Sequence, residues 1–285
     1  MSLTVEPPQA ALPRPDDVMG QAGAENFPVA SLAFGRAARR DVLAVYGFAR
    51  LVDDAGDEAC GDRAILLDEL EADLSRVYAG GEPRHPIMRA LKHTVAERGL
   101  PQEPLMRLIE ANRLDQVKTR YATFPELLSY CRLSAAPVGE LVLHIFGAAS
   151  PRRIELSNRV CAALQVIEHL QDIGEDYDRG RIYLPQDDLA RCGCEERSLA
   201  AATAPPELRA VVALLGGRCR ELLSAGTPLV RQLPLRPRIL VAGFLAGGWA
   251  TLRAIERSDH DVLATHRHRA RADFCAALCR ALAGR

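Results

Sequence analysis

Two runs of the chain hold residues whose types and spacing could do chemistry. Residues 45–58 read VYGFARLVDDAGDE, and in them Tyr46, Arg50, Asp53 and Asp57 follow one another at spacings of 4, 3 and 4. Such spacing puts all four on one face of a helix, with Asp54 beside them. Asp53 and Asp57 then stand one turn apart, roughly 5–6 Å between Cβ atoms. That separation suits two carboxylates flanking a divalent cation. Mg²⁺ takes hard oxygen ligands at about 2.0–2.1 Å and keeps several waters. Arg50, planar and always charged, is a natural clamp for a phosphate. Residues 164–181 read LQVIEHLQDIGEDYDRGR. Gln165, Glu168, His169, Asp172, Glu175 and Asp176 recur on one helical side, and Val166, Leu170 and Ile173 on the other. Like charges at i,i+4 repel by a few tenths of a kcal/mol, roughly, even when exposed. Bound cations would reverse that penalty.

One DxxxD pair is ordinarily a solvated face. Two of them, more than a hundred residues apart and each beside residues a surface would not need, ask for a shared task. If the two helices face each other across a cavity, the pairs can hold a cluster of Mg²⁺. Such a cluster binds a diphosphate, neutralises it and makes it a leaving group.

Helical periodicity supplies the elements that must position these groups. It predicts helices over 36–57, 62–79, 86–98, 102–120, 124–147, 150–177, 205–232, 236–256 and 269–283. Breakers fall between or at their ends, at Gly80, Gly81, Pro101, Pro125, Pro151, Pro205, Pro206 and Pro237. Period-two alternation is scarce, so strands are scarce. One longer loop is expected over 178–197. The proline-bearing residues 1–24 read as a flexible arm, and 25–285 as one all-α domain, a helical bundle with a central cavity.

Composition narrows the classes. The 285 residues carry 36 basic and 37 acidic side chains, a net charge of −1, which argues against a nucleic-acid binder held by counterion release. The eight cysteines are scattered without a CxxC pair, so neither a disulfide scaffold nor a zinc site is expected. The N-terminus lacks the basic start and apolar run of a signal peptide. Residues 239–252 are the most apolar stretch, but they are Gly-rich and end at Arg253, and read as a buried helix. A cytoplasmic protein is expected, with a peripheral contact to the inner membrane left open.

The motifs resemble those of the squalene/phytoene synthase family of head-to-head prenyl synthases. The first run is similar to that family's YxFxRxxDDxxD pattern. DIGED at 172–176, followed by RGRIYLP, resembles its second motif, and YCRLSAAPVGELVLHIFG at 130–147 its small-residue helix. The resemblance spans roughly residues 25–257. ENFPVAS at 25–31 and ALQVIEHLQDIGEDY are similar to the bacterial hydroxysqualene synthase branch, which serves a squalene and hopanoid route. One position departs: Glu168 stands where the family usually has asparagine, adding a charge that could ligate a metal or weaken diphosphate binding.

This resemblance implies an isoprenoid synthase fold and a Mg²⁺-dependent, diphosphate-releasing conversion of presqualene diphosphate to hydroxysqualene. Sister activities condense two farnesyl or other prenyl diphosphates, and a catalytically impaired helical scaffold is the non-enzymatic alternative. Asp53, Asp57, Glu168, Asp172 and Asp176 are the implied metal ligands. Arg50, Arg181 and Gln165 would bind the substrate, with Tyr46 and Tyr183 as hydrogen-bond donors. Phe27, Phe48, Val138 and Gly139 would wall an apolar pocket, and Pro137 should break its helix. No GxGxxG follows a predicted strand, and no nicotinamide is expected. Expected partners are the prenyl diphosphate and neighbouring enzymes of the route. The basic tract at 265–273 reads as a solvated face.

Overall fold

The structure is a computed structural model that describes residues 12–20, 35–264, 277–278 and 281–282. Phe27, the 25–31 motif and the basic tract at 265–273 lie outside the described residues. Among those described there is no strand, and the α-helices are α1 (Pro15–Gly20), α2 (Arg36–Asp57), α3 (Arg63–Tyr78), α4 (Pro86–Arg98), α5 (Gln102–Asp115), α6 (Phe124–Ser134), α7 (Ala136–Ile145), α8 (Pro151–Gln171), α9 (Ile173–Asp178), α10 (Gln186–Arg191), α11 (Pro206–Gly226), α12 (Pro228–Gln232) and α13 (Leu235–Arg257). The chain divides into two compact units, one of Met1–Glu25 with Val29–Val117 and one of Asn26–Pro28 with Lys118–Arg285. The division falls just after α5 and not at a linker that composition would mark.

In the first unit α2 is central, packing on α1, α3, α4 and α5. Phe48 and Leu51 of α2 are fully buried with Leu66, Leu70, Leu91 and Ile109. Each such side chain contributes about 1.5–3 kcal/mol by leaving water. Phe48 is therefore core packing. Polar groups set the register. Asp41, fully buried, takes Arg98 Nε at 2.7 Å and Arg40 Nη2 at 2.8 Å. Asp73 accepts from the backbone N–H groups of Arg84 (2.7 Å) and His85 (2.9 Å), which fixes the turn into α4. Burial works against the Asp73 charge, but these bonds and Arg76 outweigh it and hold its carboxyl below the usual range. Proline at the first turn of α4 and left-handed Gly99 (φ 59°) after its last turn bound that helix. Of the stretch read as an arm, Pro15–Gly20 is helical and seats Val18 in the core, because its apolar side finds α2.

In the second unit α8 is the hub, packing against α6, α7, α11, α12 and α13. Three glycines let its neighbours approach. A Cβ on Gly226 would lie 2.5 Å from Val160 Cγ2, one on Gly248 2.8 Å from Leu164 Cδ2, and one on Gly139 would overlap Ser157 Oγ. Leu170, Ile173, Ile182, Leu184, Val211 and Leu215 belong to one apolar cluster. The helix expected over 124–147 breaks at Ala135, one residue before α7 begins, and Pro137 sits in the first turn of α7. The helix expected over 150–177 breaks at Asp172 (φ −102°, ψ 13°), which ends α8 and opens α9. The expected loop 178–197 holds α10 and leads into a short 3₁₀ turn, Glu196–Ala200. Among the described residues one helix, Leu235–Arg257, has the length and apolar composition to cross a membrane, but 67% of its apolar window is buried, as in a core helix. That agrees with the buried helix expected over 239–252.

Candidate active site

The acidic turn of the first unit is built by α2 against α5. The helix carries Tyr46, Arg50 and Asp57 half-buried and Asp53 open to water, while Asp54 is buried. The two adjacent aspartates thus have different tasks. Asp54 faces Arg50, whose Nε lies 2.8 Å from its Oδ1, and Arg50 Nη2 is also 3.4 Å from Glu58 Oε1. Arg50, expected as a phosphate clamp, is here engaged by Asp54 of its own helix and by Glu58 just past the helix end. Burial pushes the Asp54 carboxyl up against the pull of Arg50. Asp53 accepts a hydrogen bond from Asn112 Nδ2 at 3.0 Å. Asp53 is exposed, yet desolvation by the surrounding protein raises its carboxyl from 3.8 to about 7. Asn112 and Arg50 oppose the rise, and Asp57 and Asp54 add to it. Gly56 explains the close approach of α5: a Cβ there would overlap Asn112 Oδ1. Gln116 Nε2 completes the clasp by donating to Gly56 O at 2.9 Å.

The second unit gathers the other expected residues at the α8–α9 break. Glu168 and Glu175 are exposed, Gln165, Asp172 and Asp176 half-buried, and Val166, Leu170 and Ile173 buried beneath them. The Asp176 N–H donates to Asp172 O at 2.8 Å, so the break keeps both aspartates in one turn. Arg181 donates its backbone N–H to Asp176 O at 2.8 Å. Residues 181–187 are then pinned to 119–122, with Ile182 N–H on Thr119 O (2.9 Å) and Gln186 N–H on Tyr121 O (2.9 Å). This seats the Tyr183 ring beside Tyr130 (5.5 Å between centroids), Tyr121 (5.7 Å) and His169 (3.8 Å). Val138 and Gly139 are half-buried on α7. The missing side chain of Gly139 points at Ser157 and Cys161 of α8, so its smallness serves helix packing where an open wall was expected.

Sequence reasoning missed Asn112, Tyr121 and Tyr130. Tyr130 had a signal, since it opens the YCRLSAAPVGE run. Asn112 had none, lying 59 residues from its partner on an unremarked helix. A cavity of about 840 Å³ opens among α1, α2 and α4, bordered by Met19, Arg39, Leu43 and Ile87, and touches none of the expected site residues.

The donor set suits Mg²⁺ by its chemistry. Asp53 and Asp57 in one unit, and Asp172 and Asp176 in the other, offer only hard carboxylate oxygens. Asp53 is held in a setting that disfavours its charge, which a cation would restore. No group of three His, Cys, Asp or Glu side chains converges as a ready metal cage among the described residues. Mg²⁺ needs none, because it is commonly bound through one or two carboxylates with waters and substrate phosphates filling its shell.

The squalene/phytoene synthase family profile matches residues 21–274. A hydroxysqualene synthase of Rhodopseudomonas palustris is 38% identical over 210 residues, covering 73% of this chain and 71% of that protein. A 15-cis-phytoene synthase of Synechococcus elongatus is 30% identical over 253 residues, covering 84% of this chain and 82% of that protein. The crystal structure of a squalene synthase from Alicyclobacillus acidocaldarius superposes with a TM-score of 0.79 at 42% identity, covering 86% of this chain and 94% of that one. With two acidic motifs on an all-helical frame of that fold, this chain belongs to the squalene/phytoene synthase family.

Proposed function

We propose that the chain converts presqualene diphosphate into hydroxysqualene with release of diphosphate, as a step in a route to squalene. The observation that carries this reading is the similarity to a hydroxysqualene synthase over 210 residues, stronger in identity than that to a phytoene synthase. Asp53 and Asp57 of α2 and Asp172 and Asp176 at the α8–α9 break are the residues to hold Mg²⁺. When bound, the metal neutralises the diphosphate and makes it a leaving group. Arg181, Gln165, Tyr46 and Tyr183 are the groups to hydrogen-bond phosphate oxygens, while Arg50 braces the acidic turn through Asp54. As the carbon–oxygen bond breaks, its electron pair leaves with the diphosphate and a carbocation remains. A tyrosine ring such as that of Tyr130 would offer electron density to positive charge. Water then adds to the cation and loses a proton, giving the alcohol without a nicotinamide.

Condensation of two prenyl diphosphates is the second reading, supported by the broad coverage of the phytoene synthase similarity. Incubating the purified protein with Mg²⁺ and either presqualene or farnesyl diphosphate, with and without a reduced nicotinamide, separates the two. Mass spectrometry should find hydroxysqualene from presqualene diphosphate regardless of nicotinamide. Squalene appearing only with the reductant, or presqualene diphosphate made from farnesyl diphosphate, would replace this reading with a sister activity. No turnover of either substrate would leave the non-enzymatic scaffold.

A further inference from the structure

His169 is a buried, ring-bearing group that the proposed chemistry does not use. It lies on the last turn of α8, before the break at Asp172. Its ring lies parallel to Tyr183, 3.8 Å between centroids and 11° between planes, with Tyr130 at 6.2 Å. Its two edges face different neighbours. Nε2 is 3.4 Å from the amide nitrogen of Gln165, and Nδ1 is 3.8 Å from Asp176 Oδ2. An amide N–H₂ only donates, so this orientation assigns Nε2 as acceptor and leaves the ring proton on Nδ1, facing the carboxylate.

The break at Asp172 makes this edge matter. Asp176 belongs to α9, a six-residue helix, so the α8 axis does not by itself aim its carboxylate. Tyr183 comes from a third segment, pinned to 119–122 by backbone bonds. His169 stacks on the Tyr183 ring and holds its Nδ1 edge 3.8 Å from the Asp176 carboxylate. We propose that His169 is a positioning residue, fixing the Tyr183 ring through its face and the Asp176 carboxylate through its Nδ1 edge. It rests on the reading of Asp176 as a metal-holding residue. Outer partners that orient a metal's carboxylates typically change metal affinity or activity by about 10–100-fold when removed.

Two substitutions divide the face from the edge. His169→Phe keeps a ring for Tyr183 and removes both nitrogens. His169→Asn keeps an N–H near the place of Nδ1 and removes the ring. Binding of Mg²⁺ with inorganic diphosphate, read by calorimetry, should weaken about tenfold or more in His169→Phe. In His169→Asn it should stay within about threefold, while kcat falls about tenfold or more at little-changed KM. Nitrogen-15 NMR of the unmutated protein, which needs no variant to fold, should show the proton on Nδ1. The proposal is overturned by Nε2–H as the tautomer, by variants that bind and turn over as the parent does, by losses that only track melting temperature, or by absence of Mg²⁺–diphosphate binding in the parent. If the parent binds Mg²⁺ and diphosphate but turns over neither prenyl substrate, the functional reading fails alone, and calorimetry and NMR still decide the role of His169.

Discussion

At Asp53 the needs of folding and of metal binding are opposed. Its carboxyl is raised from 3.8 to about 7 in the folded chain, chiefly by dehydration. A group whose folded pKa lies above its unfolded value favours folding while protonated, and that contribution is lost as pH rises through the folded value. Relative to its ionised form, Asp53 thus gives its full contribution below about pH 4 and loses it progressively up to about pH 7. Its solvent access screens the size of the effect. Asp53→Asn, which keeps an acceptor for Asn112, should raise the melting temperature of the metal-free protein at pH 8. The gain should shrink toward zero near pH 4. The same variant should lose more than about a hundredfold in turnover, beyond the usual effect of a metal's outer partners. A lower melting temperature at pH 8, or retained activity, would show that Asp53 is an ordinary surface carboxylate. The placement of Asp53 and Asp57 one turn apart on a helix was legible in the sequence because helical spacing is local. That Asp54 takes Arg50, and that Asn112 takes Asp53, was not, because both depend on which side of α2 meets α5.

Among the elements, α8 tests whether small residues serve a ligand or the packing. Alanine in place of a helical glycine gains up to about 1 kcal/mol from propensity alone. At Gly139 the added Cβ meets Ser157 Oγ and Cys161 Sγ, and overpacking of this kind costs about 1–3 kcal/mol. Packing should win, so Gly139→Ala should be destabilising in urea titration, and adding Ser157→Ala should recover part of the loss. A stabilised Gly139→Ala would mean that the α7–α8 approach is looser than described and that the site is open for an apolar ligand. The expected break at Pro137 was readable from a single residue type. The break at Asp172 was not, since LQDIGED continues the helical pattern without a strong breaker. What stops α8 there is the turn into α9 and its apolar seat on Ile173.

On the scale of the molecule, the near-zero net charge is held in pairs, many of them distant in sequence. Asp41 takes Arg98 from 57 residues away, and fully buried Asp188 takes Arg218 from 30 residues away at 3.0 Å, with Arg191 beside it. Arg218 also lies over the Phe124 ring, 4.6 Å from its centroid, which ties α10, α11 and the start of α6 together. Asp188→Ala would leave Arg218 without its buried partner. It should cost about 3 kcal/mol in urea unfolding, the low end of the roughly 3–5 kcal/mol for a broken buried pair, because both arginines still reach water. A loss under about 1 kcal/mol, the worth of a surface pair, would show that Asp188 holds nothing. The sequence alone determined the helical class, most element bounds, the two acidic motifs and the family they resemble, because periodicity, breakers and i,i+4 spacing act within a few residues. Only the tertiary structure decided which aspartate stays open, which arginine is already engaged, that Gly139 serves packing, and that Tyr121, Tyr130, Tyr183 and His169 form one cluster. Those outcomes depend on contacts between segments far apart in the chain, which local patterns do not encode.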